Sequence, residues 1–488
     1  MKYVLGIDVG TTGTKTLLIR RDGEVVGSGY QGYELITDKG GIVEQDAQAW
    51  WKAVVFATKT AIKDLPDKSQ IVALSLSTQG GSSLLVDKNN TPLGNSLTWM
   101  DSRAEPEKEE IAQAFGYDGI YKKTGWPLHS TLDASKLLWH KKHNAQALAK
   151  TDKYVSTIEY INTKMTGECI VDPTNGAIRQ LIDIETSEWD KDIMAFLGVT
   201  ESLMPTIKET GEIVGNLTAS AAQELGLRAD VVVYNGAHDQ YSAALGVGAI
   251  DAGDMVLSTG TAWVTLGITQ QPMFTDTRIA PAKHVVGSLW GALTSIPVAG
   301  AALDWFKKIA GEDYDAINEN AATRMENASD LFFYPYHIGA RLPKRLKNAK
   351  AAFVGLSLEH DKFDMYRAVM EGVVFQVKLT MDDYAANGTS IDTLLMAGGA
   401  TKSKLWMSIL SAVTGVTIYK SDHPDAACIG AAMIAAVGSG MAEDYKQAKQ
   451  IFVKSERIEP ADKAMSDFYA DKYERYLNAW DKMSKMYI

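Results

Sequence analysis

The first part of the chain alternates short apolar runs with turns rich in glycine and small polar residues. The segments "YVLGIDVG", "TTGTKTLLIRRDG" and "EVVGSGYQGYEL" predict a strand, a turn and a further strand over residues 3–35. A helix is predicted over residues 46–62, where apolar residues recur at helical spacing and Asp46 can cap the first turn. This order of elements is typical of an α/β domain.

Later segments continue the same pattern. Residues 71–87, "IVALSLSTQGGSSLLVD", predict a strand, a loop and a strand, and residues 132–151 predict a helix. Residues 229–250 predict a buried strand that enters a glycine-rich turn and then a helix of small residues. The stretch 460–486 predicts an amphipathic helix, which we expect to pack against a domain surface.

The opening pattern returns in the middle of the chain. Residues 253–272, "GDMVLSTGTAWVTLGITQQP", again predict a strand, a Gly-Thr turn and a second strand. We interpret this as an internal duplication that gives two α/β domains, residues 1–246 and residues 247–488. The alternative is that two unrelated strand–turn–strand units look alike.

Composition narrows the choice of partners. Of the 488 residues, 46% are hydrophobic and 22% are charged, and the net charge is −11. A nucleic-acid or anionic-membrane partner is disfavoured, because phosphate-rich surfaces attract basic proteins. Cys169 and Cys428 are far apart and lack C-x-x-C spacing, so neither a disulfide framework nor a zinc site is expected. The opening residues turn polar too early for a signal peptide, and no apolar run has the roughly 18 residues of a membrane span; we expect a cytoplasmic protein.

The two Gly-Thr turns are suited to phosphate. Residues 6–15, "GIDVGTTGTK", match neither the P-loop pattern nor G-x-G-x-x-G. Even so, backbone N–H groups and threonine hydroxyls are good donors to phosphate oxygens. In a duplicated fold, this turn and the turn at residues 258–263 would face each other across one cleft as two phosphate clamps.

At this point the chain resembles the FGGY carbohydrate kinases, members of the actin, hexokinase and Hsp70 ATPase superfamily. Residues 6–15 resemble the first phosphate motif of that family, "STGTAW" at 258–263 the second, and "AGGATKSKLW" at 397–406 the adenosine-side motif. Residues 351–372 fit one family signature at every defined position, and residues 132–143 fit an earlier signature only loosely. The resemblance covers nearly the whole chain.

The resemblance implies an α/β fold with two duplicated actin-like (ribonuclease H-like) ATPase domains around a hinged cleft. It implies a kinase that uses ATP and Mg²⁺ to phosphorylate a hydroxyl of a small sugar or polyol, with a ketopentose such as xylulose favoured. Kinases for L-xylulose, gluconate, a tetritol or glycerol are alternatives, as is a non-catalytic nucleotide-dependent sensor. The family is often dimeric, so a homodimer is an open question.

The resemblance also implies nucleotide-binding residues. Asp8 would be a Mg²⁺ ligand, a role that suits a carboxylate beside phosphate oxygens, although a strand-end aspartate can also simply cap a turn. Lys15 would bind phosphate, or it could be a solvated charge of the hairpin. The positions that match the nucleotide site are Thr11, Thr12, Gly13, Lys15, Gly260, Thr261, Gly300, Asp304, Gly399 and Ser403.

Asp239 is the predicted catalytic residue. It follows a buried apolar run, so it lies at the carboxyl end of a strand, where open α/β folds build their sites. Its family equivalent is the general base that takes the proton from the sugar hydroxyl. The alternative is an N-cap of the helix that follows, and both roles can coexist.

The sugar side departs from the commonest family pattern. Xylulokinases and gluconate kinases usually carry a Met-His pair where this chain has Gly80 after Gln79, a pair that looks more like that of the L-xylulose kinases. The Arg-Glu pair of glycerol kinases is absent. "WMDSRA" resembles a xylulokinase stretch, and it adds Trp99 and Asp101 as substrate-binding candidates beside Gln79, Gly80 and Asp239. Gln79 could instead be a loop amide bonded to backbone.

Overall fold

The first half of the chain alternates strands and helices in the computed structural model, which describes residues 2–277 and 279–487. Its strands are β1 (Tyr3–Val9), β2 (Gly13–Arg20), β3 (Val25–Gly32), β4 (Ile36–Asp38), β5 (Ile42–Gln45), β6 (Ile71–Thr78), β7 (Ser83–Val86), β8 (Ser96–Leu97), β9 (Lys153–Ser156), β10 (Ile170–Val171), β11 (Thr206–Ile207), β12 (Ile213–Asn216) and β13 (Val232–His238).

Several helices of this half pack against its main sheet. They are α1 (Ala47–Ala61), α2 (Glu105–Phe115), α3 (Tyr117–Thr124), α4 (Asp133–His143), α5 (Ala145–Leu148), α6 (Thr157–Thr166), α7 (Pro173–Ile178), α8 (Lys191–Leu197), α9 (Ala219–Leu225) and α10 (Asp239–Gly246).

The second half contains a second set of strands and helices. The strands are β14 (Asp254–Thr259), β15 (Trp263–Thr269), β16 (Ala280–Lys283), β17 (Trp290–Ile296), β18 (Phe332–Tyr334), β19 (Ala352–Val354), β20 (Thr393–Gly398), β21 (Thr417–Ser421) and β22 (Ser455–Ile458). The helices are α11 (Gly300–Ala310), α12 (Tyr314–Ala322), α13 (Lys362–Ala386), α14 (Lys404–Thr414), α15 (Ala426–Gly438), α16 (Tyr445–Phe452) and α17 (Lys463–Ser484).

The two main sheets share one topology. The first has the order β12-β13-β6-β1-β2-β3, with β1 antiparallel to β2 and parallel to β6. The second has the order β16-β17-β15-β14-β20-β21-β22, with β14 antiparallel to β15 and parallel to β20. The core of the second sheet, β17-β15-β14-β20-β21, repeats the core β3-β2-β1-β6-β13 of the first strand for strand. The predicted internal duplication and the α/β fold class are confirmed.

Two helices interlock the halves. The helix α10, at the end of the first half, crosses α15 of the second half in direct backbone contact: a Cβ on Gly430 would lie 1.8 Å from the Ser242 carbonyl oxygen. In the same stretch, α15 also lies on β1, where a Cβ on Gly6 would lie 1.9 Å from the Cys428 carbonyl oxygen. The Tyr241 ring of α10 packs in turn against the second sheet. Each half is therefore covered by a helix from the other.

Most local predictions are confirmed. Asp46 caps α1 by accepting a hydrogen bond from the Gln48 N–H. The predicted helix over residues 132–151 is two helices, α4 and α5, because the backbone at Asn144 leaves the helical conformation. The helix α17 packs on the second half, and Lys472 forms a buried ion pair of 2.5 Å with Glu371 of α13.

In the described parts of the chain, no helix has both the length and the apolar character needed to cross a bilayer.

The close crossing of α10 and α15 predicts that one added methyl group lowers the stability of the protein. Gly430→Ala places that group against the rigid Ser242 backbone, so it should lower the free energy of unfolding by about 1–3 kcal/mol, the usual cost of overpacking. Gly119→Ala is the matched control, because Gly119 is an exposed helical glycine with nothing within 4 Å of an added Cβ. Thermal melting curves measure both. A Gly430→Ala melting temperature equal to that of the control would contradict the close crossing.

Candidate active site

The register of the first sheet brings three strand ends to one edge. In the parallel ladders, Val9 of β1 lies opposite Thr78 of β6, and Thr78 lies opposite His238 of β13. The residues that follow, including Gln79 and Asp239, therefore leave the sheet side by side. The Gln79 N–H donates to the Val9 carbonyl at 2.9 Å. This is the carboxyl edge, where open α/β sheets build their sites.

Asp8 lies at the centre of this edge. Its Oδ1 accepts a hydrogen bond of 2.6 Å from the Ser77 hydroxyl, and Lys15 lies opposite it in the β1–β2 ladder. Burial raises the pKa of Asp8 to about 7, and the nearby carboxylates of Asp239 and Asp425 contribute to the rise. A buried carboxyl among other carboxylates becomes fully ionised more readily when a cation joins the site.

The turn between β1 and β2 is fixed by neighbouring side chains. Gln45 Nε2 donates to the Thr11 carbonyl at 2.6 Å, and the Tyr33 hydroxyl donates to the Gly10 carbonyl at 2.5 Å. The Trp99 indole N–H donates to the Thr11 hydroxyl at 2.9 Å. The structure thus joins Thr11, a predicted phosphate ligand, to Trp99, a predicted sugar ligand.

The three remaining residues of the first predicted phosphate motif have different surroundings. Thr12 is exposed at the tip of the turn. Gly13 lies so close to the Tyr30 ring that an added Cβ would be 2.6 Å from the hydroxyl oxygen. The Lys15 ammonium is ion-paired with Asp425 at 2.5 Å.

Asp239 begins α10, and His238 holds the N-cap position. The alternative in which Asp239 is the N-cap is therefore wrong by one residue. His238 Nε2 lies 3.2 Å from Asp239 Oδ1, and the Asp239 side chain keeps 30% of its surface exposed while that of His238 keeps 7%. The carboxylate is thus oriented from one side by the histidine and open on the other, and the positive end of the helix favours its negative charge.

The predicted sugar loop is tightly packed. The Gln79 side chain is buried, and its Nε2 donates to Gln45 Oε1 at 2.9 Å. Within the described residues, Gln79 Oε1 has no hydrogen-bond partner. A Cβ on Gly80 would lie 2.5 Å from the His238 ring, so the glycine lets this loop approach the residue that orients Asp239.

Asp101 does not take the predicted position. Its side chain is fully buried, and its oxygens accept hydrogen bonds from the Val43 N–H at 2.8 Å and from the Arg103 guanidinium at 2.6–3.0 Å. This arrangement does not match the expectation that the carboxylate binds sugar hydroxyls. Asp101 instead anchors Arg103, which also binds Glu44 and lies 4.9 Å above the Trp139 ring centroid.

A buried lysine holds the two sugar-side loops together. The Lys136 ammonium has no exposed surface and donates to the carbonyls of Gly81 (2.7 Å), Leu97 (3.1 Å) and Thr98 (2.7 Å). Gly81 belongs to the loop that carries Gln79, whereas Leu97 and Thr98 precede Trp99. Burial lowers the pKa of Lys136 to about 8.

In the second half, the equivalent edge gathers four of the predicted nucleotide residues. Gly260 and Gly399 follow β14 and β20, whose last residues lie opposite each other. The Thr261 carbonyl accepts a hydrogen bond of 3.0 Å from the Ala301 N–H. A Cβ on Gly300 would lie 2.2 Å from the Gly260 carbonyl oxygen, so α11 begins directly against the Gly-Thr turn.

The other two predicted nucleotide residues lie further from this turn. Asp304 is one turn further along α11 and accepts a hydrogen bond from the Tyr314 hydroxyl. Ser403 is buried as the N-cap of α14, where it accepts a hydrogen bond of 3.1 Å from the Trp406 N–H and donates to Asn318. Within residues 2–277 and 279–487, no cluster of three or more His, Cys, Asp or Glu side chains is placed to hold a metal ion.

Comparisons with known proteins agree with this geometry. The family model described as the FGGY family of carbohydrate kinases, N-terminal domain, matches residues 3–246, and the model for the C-terminal domain of that family matches residues 255–439. The chain belongs to the FGGY family of carbohydrate kinases. The resemblance stated from the sequence is therefore confirmed.

Individual relatives are similar over nearly their whole length. A xylulose kinase of Bacillus subtilis is 27% identical over 459 residues, which are 93% of this chain and 92% of the relative. A gluconokinase of the same organism is 24% identical over 96% of this chain and 93% of its own. The crystal structure of a ligand-bound xylulose kinase from Lactobacillus acidophilus superposes with a TM-score of 0.92 at 26% identity, covering 100% of this chain and 99% of that one.

These matches decide between the two function classes that the sequence left open. The chain is a carbohydrate kinase, a phosphotransferase that acts on a sugar with ATP, and the prediction of an enzyme is confirmed over the alternative of a non-catalytic sensor. The two actin-like ATPase domains are likewise confirmed as the fold.

The structure adds residues that the sequence analysis did not assign. Gln45 joins the phosphate turn to the sugar loop, His238 orients Asp239, Asp425 pairs with Lys15, and Lys136 holds two loops. His238 could have been suspected from its place beside Asp239. Asp425 carries no local sequence signal, since its partner is 410 positions away.

The buried ammonium of Lys136 predicts a pH-dependent stability. Its folded-state pKa of about 8 lies below the ordinary value of 10.5, so between these values the unfolded chain holds a proton that the folded chain has released. The contribution of Lys136 to the free energy of unfolding should therefore rise with pH across this range. Lys136→Met abolishes this titration, so the melting temperature of the wild type minus that of the variant should increase by a few degrees from about pH 7 to about pH 10.

The exposed lysine at position 141 of the same helix provides the matched control, as Lys141→Met. The quantity to compare is the melting temperature of the wild type minus that of each variant. If this difference for Lys136→Met stays constant or falls as the pH rises, or changes only as it does for Lys141→Met, a buried charged lysine at position 136 is contradicted.

Proposed function

We propose that the protein phosphorylates a ketopentose, with xylulose as the first substrate to test. The observation that carries the proposal is the partly exposed Asp239 carboxylate at the carboxyl edge of the first sheet, beside Asp8 and the loop that carries Gln79. Relatives named xylulose kinase, at 27–28% identity over most of the chain, favour this sugar class.

In this mechanism Asp239 is the general base. It accepts the proton of the sugar hydroxyl as that oxygen attacks the γ-phosphorus of ATP, and ADP leaves on the opposite side. Phosphoryl transfer demands little covalent work from the protein, so in-line positioning and local charge do most of it. His238 fixes the direction of the Asp239 carboxylate through the contact of 3.2 Å.

The nucleotide is proposed to bind between the two Gly-Thr turns. Thr11, Thr12, Gly13 and Lys15 would contact phosphates from the domain of residues 1–246. Gly260, Thr261 and Gly300 would contact them from the domain of residues 247–488, with Asp304, Gly399 and Ser403 toward the adenosine. Tight contact between α11 and the second turn supports this grouping, because it places Gly300 against Gly260 while Gly260 and Thr261 remain exposed.

Asp8 is the proposed Mg²⁺ residue. Mg²⁺ in nucleotide sites is usually held by one or two carboxylates together with phosphate oxygens and water, so a dedicated cluster of three protein ligands is not required. The carboxyl with a raised pKa beside two further carboxylates fits a cation. Bound Mg²⁺ would neutralise phosphate charge.

The sugar is proposed to bind beside Gln79, Gly80, Trp99 and Asp239. Trp99 is 44% exposed and bonds to the Thr11 hydroxyl through its indole N–H, whereas Asp101 acts indirectly through Arg103. Two cations near these loops, Arg103 and Lys136, are bonded to protein atoms. Neither is free for a sugar-acid carboxylate, and this favours a neutral sugar over gluconate.

A coupled ADP-release assay over a panel of substrates tests the proposal. D-xylulose, L-xylulose, other ketopentoses, gluconate, glycerol and tetritols are compared at equal concentration with ATP and Mg²⁺. We expect kcat/KM to be highest for a ketopentose and at least about tenfold lower for gluconate, which lacks a charged partner. The highest value for gluconate or glycerol would overturn the proposed substrate class.

Asp239→Asn tests the base. The amide keeps the size of the side chain but cannot accept the proton, so kcat should fall by at least about 100-fold. Melting and ATP binding should stay close to the wild type, because asparagine is tolerated at the start of a helix. Asp230→Asn, at an exposed aspartate before β13, is the control. A kcat within a few-fold of the wild type would remove Asp239 from the mechanism.

A further inference from the structure

The ion pair between Lys15 and Asp425 has no counterpart in the proposed mechanism. The two residues are 410 positions apart, and the ammonium lies 2.5 Å from Asp425 Oδ1. The side chains keep 34% and 17% of their surface exposed, so the pair lies at the edge of the site rather than in the core. Lys15 is the cation that the proposed function assigns to the nucleotide phosphates.

The fold makes this contact a fixed one. Asp425 immediately precedes α15, and the first turn of this helix lies on β1 and β2. The Cys428 carbonyl contacts Gly6, and the Cys428 thiol lies 3.6 Å from the carbonyl oxygen of Lys15. Although the second half of the chain supplies Asp425, this residue is packed on the same sheet as Lys15.

Asp425 is not explained by capping alone. It occupies the N-cap position of α15, but its side chain makes no hydrogen bond to the first backbone N–H groups of the helix. Its Oδ1 instead faces Lys15, and its backbone N–H donates to His423 Nδ1 at 3.1 Å. Because His423 Nδ1 accepts this bond, it has no proton to offer Asp425 Oδ2, which is 3.9 Å away, and Lys15 is the partner that engages the carboxylate.

The surrounding charges show what the contact does for Lys15. Lys15 lies opposite Asp8 in the β1–β2 ladder, and Asp8 senses the charges of Lys15, Asp425 and Asp239. Asp8 is engaged by Ser77, whereas Lys15 is bonded to Asp425. A lysine side chain that is free to rotate would lose rotamer entropy on being ordered. The ion pair orders it before the nucleotide arrives.

We propose that Asp425 is a positioning residue for phosphoryl transfer: it holds the Lys15 ammonium at the phosphate side of Asp8. This inference rests on the proposed function, because it takes Lys15 as a phosphate ligand. The negative charge of Asp425 also repels the negative charge of ATP. Asp425 therefore contributes to the orientation of Lys15 during transfer but not to the affinity for the nucleotide.

The test is a double-mutant cycle on the full-length enzyme. In Asp425→Asn, kcat should fall about tenfold, KM for ATP should stay the same or fall, and KM for the sugar should stay within about twofold. In the Lys15→Ala background, Asp425→Asn should have no further effect on kcat, because a residue that acts through Lys15 cannot act without it. Asp425→Glu should recover part of the lost kcat.

Asp422→Asn is the matched control, since Asp422 is an exposed acid three positions earlier in the same segment. It should leave all three constants unchanged. The inference is overturned by a normal kcat in Asp425→Asn, by a raised KM for ATP with unchanged kcat, or by effects that multiply independently in the double variant. A purely structural role would lower the melting temperature and give such independent effects.

The experiments also distinguish an error in the proposed function from an error in the inference about Asp425. A wild type that shows no sugar-stimulated ADP release would overturn the proposed function itself. An active wild type whose Lys15→Ala variant keeps full kcat would leave the kinase assignment intact and overturn the role of Lys15, and with it the inference about Asp425.

Discussion

The backbone contact between α10 and α15 is the constraint on which the site depends. Gly246 lies against the Ala426 carbonyl, and Gly430 lies against the Ser242 carbonyl, so the two helices cross with no side chain between them. Helices this close have little freedom to slide. The two helices are consequently fixed relative to each other. Asp239, which begins α10, and Asp425, which precedes α15, both lie close enough to Asp8 to raise its pKa.

Asp8 lies near two further carboxylates, Asp239 and Asp425, and one ammonium, Lys15, which leaves this part of the protein with excess negative charge before any ligand binds. The effect is seen in the pKa of Asp8. This pKa rises to about 7, mainly because the carboxyl is buried and further because Asp239 and Asp425 are near. A site built only to bind polyphosphate would not gather carboxylates. The proposed reaction, in which Asp8 holds Mg²⁺ with the phosphates and Asp239 accepts a proton from the sugar, would use two of them.

The sequence predicts the parts of the site that depend on short-range order. A buried run followed by small polar residues places Asp8 and Asp239 at strand ends, and the repeated strand–turn–strand pattern predicts the duplication. It fails where a residue's role depends on a distant partner. Asp101 looks like a free carboxylate in its segment but is buried against Arg103 and the Val43 N–H, and only the fold shows this. The same holds for Lys136.

The sugar loop and the phosphate turn are joined by one side-chain amide. Gln45 Oε1 accepts hydrogen bonds from Gln79 (2.9 Å) and Trp50 (3.1 Å), while its Nε2 donates to the Thr11 carbonyl (2.6 Å). Hydrogen bonds in a buried network support one another, and an unpaired member is costly, so these groups keep one arrangement. The loop proposed to bind the sugar cannot then shift without moving the turn proposed to hold the phosphates of ATP. In-line transfer needs a fixed distance between acceptor and donor, and a shared amide is a direct way to keep it.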